Sequence, residues 1–116
     1  MKIEQISRTV HSVKLDKQPQ RMLFISDVHY DSVKCDRVML RRHLDEAKRT
    51  NTPVFIFGDW FDLMGGKYDP RSSYSDIRPE YKSITYLDDV IEDSAEFLIK
   101  YKDVIKFFCR GNHETN

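Results

Sequence analysis

Three short apolar runs, each breaking off into a polar cluster, constrain this chain more than any other feature. "RMLFIS" (21–26) leads into "DVH", "VFIF" (54–57) into "GDWFD", and "DVIKFFC" (103–109) into "RGNHE". Such runs are nearly continuous rather than alternating, which predicts strands covered on both faces by helices. Helical periodicity fills the intervals between them. Over 33–49, Val33, Leu40, Leu44 and Ala47 recur at helical spacing, and Val38 and Met39 widen the stripe. Asp31 or Ser32 is available as N-cap, and "TNTP" (50–53) stops the helix. A second helix is predicted over 82–101, its apolar face marked by Ile84, Leu87, Ile91, Ala95 and Leu98. The order strand, helix, strand, loop, helix, strand predicts an α/β fold. Right-handed crossovers make its strands parallel and gather their carboxyl ends on one edge.

The flanking segments are less patterned. Residues 1–20 form an N-terminal edge segment in which "VHSVKL" (10–15) reads as a short edge strand and "DKQPQ" as the turn after it. Residues 63–80, with their glycines, prolines, tyrosines and mixed charges, read as a long surface loop.

A length of 116 residues suffices for one small domain. The 19 basic residues balance the 19 acidic ones, which argues against a mainly electrostatic nucleic-acid binder. It does not exclude an enzyme acting on phosphorylated substrates, whose positive charge can arrive as bound metal. No apolar run approaches a membrane span, and the first twenty residues lack a signal-peptide core. Cys35 and Cys109 make no disulfide framework and read as reduced thiols of a cytoplasmic protein, Cys109 buried beside Phe108.

Ligands of parallel sheets bind outside the carboxyl ends of the strands. Three such ends would bring Asp27, His29, Asp59, Asn112 and His113 towards one crevice. Singly, each is an ordinary cap, turn former or surface residue. The coincidence at three strand ends is what argues for a shared site. Side chains two apart on extended backbone face the same way, so Asp27 and His29 could grip one ion. Carboxylate, imidazole and amide oxygen together suit Mn²⁺, Fe or Zn²⁺ better than Ca²⁺. A carboxylate such as Asp59 can bridge two ions about 4 Å apart.

"DVH" (27–29), "GDWFD" (58–62) and "GNHE" (111–114), in this order, resemble the first three motifs of the calcineurin-like metallophosphoesterases. The resemblance spans about residues 21–115. It implies a two-layered β-sandwich flanked by helices, with a centre of two divalent metal ions at the strand ends, Mn²⁺ first and Fe or Zn²⁺ as alternatives. It further implies that Asp27 and His29 bind the first ion, that Asp59 bridges both, and that Asn112 binds the second. His113 is implied as the catalytic histidine, with Asp62 orienting it. The reaction implied is in-line attack on phosphorus by a water or hydroxide between the ions.

Two features depart from the family pattern. Leu63 stands where an arginine is frequent, and no residue through Asn116 matches the family's later histidine motifs; His11 and His43 fit neither. The resemblance therefore implies that 21–116 is the amino-terminal half of a domain, here an incomplete sandwich with strands at 21–26, 54–57 and 103–109. A missing carboxyl-terminal half would supply the remaining ligands. The chain alone is then expected to be inactive and to self-associate through an uncovered sheet.

The implied substrate is a phosphorylated small molecule or a nucleic acid. In the loop, Lys67, Arg71 and Arg78 with Tyr68, Tyr74 and Tyr81 could contact phosphate and stack on a base. Trp60, Phe61 and Met64 read as anchors of that loop on the core, and Lys34, Arg37, Arg41 and Lys48 as the wet side of the first helix. Two non-enzymatic readings compete with hydrolysis. One is a half-domain scaffold with a vestigial metal site that pairs with another chain. The other is a binding module whose polar strand ends are only caps and turns.

Overall fold

In a computed structural model of the chain, residues 1–16, 21–62, 77–81 and 85–110 are described. Five strands and two helices follow in order: β1 (Lys2–Gln5), β2 (His11–Lys14), β3 (Leu23–Ile25), α1 (Arg37–Thr50), β4 (Val54–Phe57), α2 (Tyr86–Ile99) and β5 (Ile105–Cys109), with a 3-10 turn at Pro79–Tyr81 before α2. β1 and β2 form an antiparallel hairpin, and β3, β4 and β5 form a second sheet in that order. Both pairings in the second sheet are parallel, as the crossover argument requires. β4 coincides with its expected span; β3 is shorter at both ends than the expected 21–26, and β5 is shorter at its start. β5 opens only at Ile105 because 101–104 is spent on turns that close α2, with the Val104 N–H bonded to the Tyr101 carbonyl.

Alternation along these strands separates two faces. Val54 and Ile56, both fully buried, pack against Leu40, Leu44 and Ala47 of α1 and against Phe97 and Tyr101. Both helices thus serve the same cluster. The opposite face carries aromatic residues: Phe24 lies 5.5 Å from Phe55 and 5.8 Å from Phe57, and Phe57 lies 5.8 Å from Phe107. Across it stand His11, Val13 and Leu15, with the His11 ring edge-on to Phe107 at 5.7 Å. The expectation of helices on both faces is therefore corrected, since the second face meets the amino-terminal hairpin. Residues 1–16 supply two strands where one edge strand was expected.

α1 starts at Arg37 rather than at 33. Asp36 caps it, its Oδ1 accepting the Met39 N–H at 2.9 Å, because Ser32–Cys35 are already committed to turns. At the other end Asn51 takes the left-handed conformation and its N–H returns to the Ala47 and Lys48 carbonyls.

α2 is rotated relative to the expected face. Tyr86, Val90, Ser94 and Phe97 are buried, while Leu87, Ile91 and Ile99 are exposed. Polar partners decide this rotation. The Trp60 Nε1–H donates to Ser94 Oγ at 2.7 Å, and the Tyr86 hydroxyl donates to Asp31 Oδ2 at 2.6 Å. Turning the helix to bury Leu87 and Ile91 would strand both donors. Arg37 likewise leaves the wet side expected for it. Its guanidinium sits 3.8 Å over the Tyr30 ring and donates to the Tyr30 carbonyl (2.7 Å) and the Tyr81 hydroxyl (2.6 Å).

Candidate functional site

β3 ends at Ile25 and β4 at Phe57, yet the two chains stay paired beyond the sheet. The Asp27 N–H donates to the Gly58 carbonyl at 3.2 Å, that of His29 to Asp59 at 3.1 Å, and that of Tyr30 to Trp60 at 2.7 Å. Gly58 in turn donates to the Cys109 carbonyl at 3.0 Å, which brings the end of β5 alongside. The backbones of Asp27, His29 and Asp59 are thus neighbours at the carboxyl edge of the sheet.

These residues are also where the backbone is least ordinary. Asp27 (φ 54°), His29 (φ 50°) and Asp59 (φ 51°) all have positive φ, and the one other such non-glycine residue among the described residues is the helix cap Asn51. Asp, Asn and His tolerate this region best, at a local cost of about 1 kcal/mol or more. Gly58 shares it at 71° without that cost. The left-handed residues correct one expectation: 27–29 is not extended, so the rule that placed Asp27 and His29 on one side does not apply.

His29 Nδ1 lies 2.8 Å from Asp62 Oδ1, both side chains being largely buried. Asp62 was expected to orient His113; among the described residues its carboxylate meets His29. Asp27 is exposed and Asp59 half-buried. No group of three or more His, Cys, Asp or Glu side chains able to hold a metal ion occurs among the described residues. Asn112 and His113 lie outside the described residues, as do Lys67, Tyr68, Arg71 and Tyr74 of the loop and Met64.

A groove of about 530 Å³ runs beside Asp27 between β3 and the start of α1, with Ser26, Lys34, Cys35, Met39 and His43 along it. Burial pushes the Cys35 thiol up, so it enters the groove as a neutral thiol rather than a nucleophile. Arg78 and Tyr81, two of the expected substrate contacts, are committed to the fold instead. Arg78 donates to the Cys35 carbonyl at 3.1 Å, and the buried Tyr81 hydroxyl donates to Asp93 and accepts from Arg37. Trp60 is the core anchor expected, fully buried and stacked on Tyr30 at 5.4 Å.

Both motif segments paired at this edge fall within a match to a known family. A family model described as calcineurin-like phosphoesterase matches residues 20–116. The chain belongs to the calcineurin-like phosphoesterase family. Comparison with curated proteins and with solved structures gave no match. In calcineurin-like phosphoesterases the reaction class is metal-dependent phosphoester hydrolysis, and the mixed α/β architecture of two sheets and two helices agrees with that family. No helix among the described residues is long and apolar enough to cross a membrane.

Sequence reasoning passed over two residues that support this edge. Asp31, weighed only as a helix cap, is 1% exposed. Its Oδ1 accepts the Asp62 N–H at 2.6 Å and its Oδ2 accepts from Tyr86. The one available signal was a further acidic residue two positions beyond His29. For Tyr86 there was none, since its partner lies 55 residues away.

Proposed function

We propose that this chain carries metal ligands of a phosphoester hydrolase, with Asp27, His29, Asp59 and Asn112 holding the ions and His113 as catalytic histidine. The observation that carries this reading is the hydrogen-bonded pairing of 27–30 with 58–60, which sets two carboxylates and an imidazole on adjoining loops. The donor set fits divalent ions. An imidazole whose Nδ1 meets a carboxylate is the usual arrangement behind a metal-binding histidine, and Mn²⁺ fits the mixed oxygen and nitrogen set, with Fe or Zn²⁺ as alternatives. Ions bound there supply positive charge against phosphoryl oxygens and lower the pKa of water.

The chain's own residues do the rest. The Asp62 carboxylate, 2.8 Å from His29 Nδ1, favours a proton on that nitrogen and so leaves Nε2 free to face a metal ion. Buried Trp60, bonded to Ser94, pins the 58–62 segment so that Asp59 is held at the edge. His113 gives a proton to the leaving oxygen. Residues 21–116 belong to the catalytic domain, and the 1–16 hairpin precedes them. The substrate is the phosphoester of a nucleotide or nucleic acid, supported by the Lys, Arg and Tyr residues of 63–76. The free thiols of Cys35 and Cys109 suit a reducing cytoplasm.

A second reading is a non-catalytic scaffold with a vestigial site. Mn²⁺ titration followed by electron paramagnetic resonance, with phosphodiester and phosphomonoester assays on the full natural polypeptide carrying this sequence, separates the two. Hydrolysis that needs Mn²⁺ and is lost in Asp59→Asn is expected. Mn²⁺ bound through Asp59 without turnover would establish the scaffold, and Mn²⁺ binding unchanged in Asp59→Asn would overturn the ligand assignment.

A further inference from the structure

We propose that Asp31 is a positioning residue for His29, acting through Asp62; the proposal rests on the metal-dependent reading above. A carboxylate as buried as that of Asp31 is costly unless its oxygens are satisfied. Here each oxygen has a donor from a different element: the Asp62 N–H on Oδ1 and the Tyr86 hydroxyl on Oδ2, both at 2.6 Å. The Asp31 carbonyl accepts the Arg78 N–H at 3.3 Å. One residue thus ties the loop after β3 to the loop after β4, to the 3-10 turn and to the start of α2.

The ties form a closed ring. Asp31 holds the Asp62 backbone, the Asp62 carboxylate meets His29 Nδ1 at 2.8 Å, and His29 stands two residues before Asp31. The Asp62 carboxylate therefore begins from a backbone atom whose place Asp31 sets. A displacement of about 1 Å would take the Asp62 carboxylate out of close contact with His29 Nδ1. Stability alone is a weak reason for a carboxylate here, since apolar replacements of buried ionic groups are often neutral or stabilising. Geometry is the better one.

The surrounding loop has an independent brace. Arg37 grips the Tyr30 carbonyl and stacks on the Tyr30 ring, so the 30–37 segment keeps its place when Asp31 is altered. Asp31→Asn retains size but offers one acceptor oxygen to two converging donors, so the Asp62 N–H or the Tyr86 hydroxyl loses its partner. Tyr86→Phe removes only the second donor and leaves the Asp62 tie intact.

The test reads the imidazole directly in metal-free, ¹⁵N-histidine-labelled protein, by long-range ¹H–¹⁵N correlation spectra. The chain has 4 histidines, and His29→Gln identifies the signal. The expected result is a dominant Nδ1–H tautomer for His29 in the parent and in Tyr86→Phe, and mixed tautomers in Asp31→Asn. The Mn²⁺ affinity of Asp31→Asn should fall roughly 10- to 100-fold. Should Asp31→Asn not fold, Asp31→Glu, which keeps the charge but displaces the oxygens, gives the same reading. His29 signals in the variant that coincide with the parent's, beside a lowered melting temperature, would overturn the proposal and leave Asp31 purely structural. A parent that binds no Mn²⁺ would overturn the metal-dependent reading, while the tautomer spectra would still decide the role of Asp31.

Discussion

His29 Nδ1 and Asp62 Oδ1 lie 2.8 Å apart, joining the loop after β3 to the loop after β4 through side chains as well as backbone. Because the contact restrains the ring, Asp62→Ala should weaken Mn²⁺ binding by about 10- to 100-fold. Its effect on stability should be small beside that, since the backbone bonds of 27–30 to 58–60 remain. Paired Mn²⁺ titrations and urea melts of parent and variant check both parts.

Asp59 combines a proposed ligand role with a left-handed backbone. Asn is as tolerant of that conformation as Asp, so Asp59→Asn should fold normally yet lose Mn²⁺ occupancy by elemental analysis. Asp59→Val should instead lose about 1–2 kcal/mol of stability, because a β-branched residue is strained at positive φ. Asp88→Asn, at an exposed position of α2, should change neither quantity.

Trp60 and Ser94 hold α2 in its observed rotation. Ser94→Ala leaves the buried indole N–H without its acceptor and should cost about 1–3 kcal/mol. Trp60→Ala should cost about 3–5 kcal/mol. Denaturant midpoints at unchanged slope are the measure.

The Tyr101 hydroxyl donates to Asp45 Oδ1 at 2.6 Å, so Asp45 is a brace between α1 and the end of α2 rather than an idle surface residue. Burial, and then this bond, push the Tyr101 phenol up to about 12. A group whose folded pKa is raised contributes stability that is complete below its unfolded pKa near 10 and is lost as pH climbs through the folded value. Folding stability should therefore decline between about pH 10 and 12, with Tyr30 and Tyr81, also raised by burial, adding to the slope. Tyr101→Phe should flatten that decline and cost about 1 kcal/mol at neutral pH. Stability curves of the two proteins across that range test the sign.

Phe24 and Phe57 are 60% and 44% exposed on the aromatic face of the sheet. Such a face favours association. The chain should be larger than a monomer by light scattering at high concentration, and Phe24→Thr, which keeps strand propensity, should shift it towards monomer.

What was legible in the sequence was local. Each parallel strand showed as a short apolar run, and "DVH" and "GDWFD" marked where β3 and β4 break off, because a buried strand must be apolar and its end need not be. The family followed from the same motifs. Rotation was not legible. α2 carries two apolar stripes, one through Tyr86, Val90 and Phe97 and one through Leu87, Ile91 and Ile99, and periodicity cannot rank them. Ser94 and Tyr86 chose the first because their partners, Trp60 and Asp31, lie 34 and 55 residues away. The positive φ angles of Asp27, His29 and Asp59 are likewise imposed by pairing between two loops, not by the residues themselves. Apolar pattern and turn chemistry are properties of neighbouring residues, whereas the satisfaction of a buried donor depends on whichever distant acceptor the packed chain brings to it.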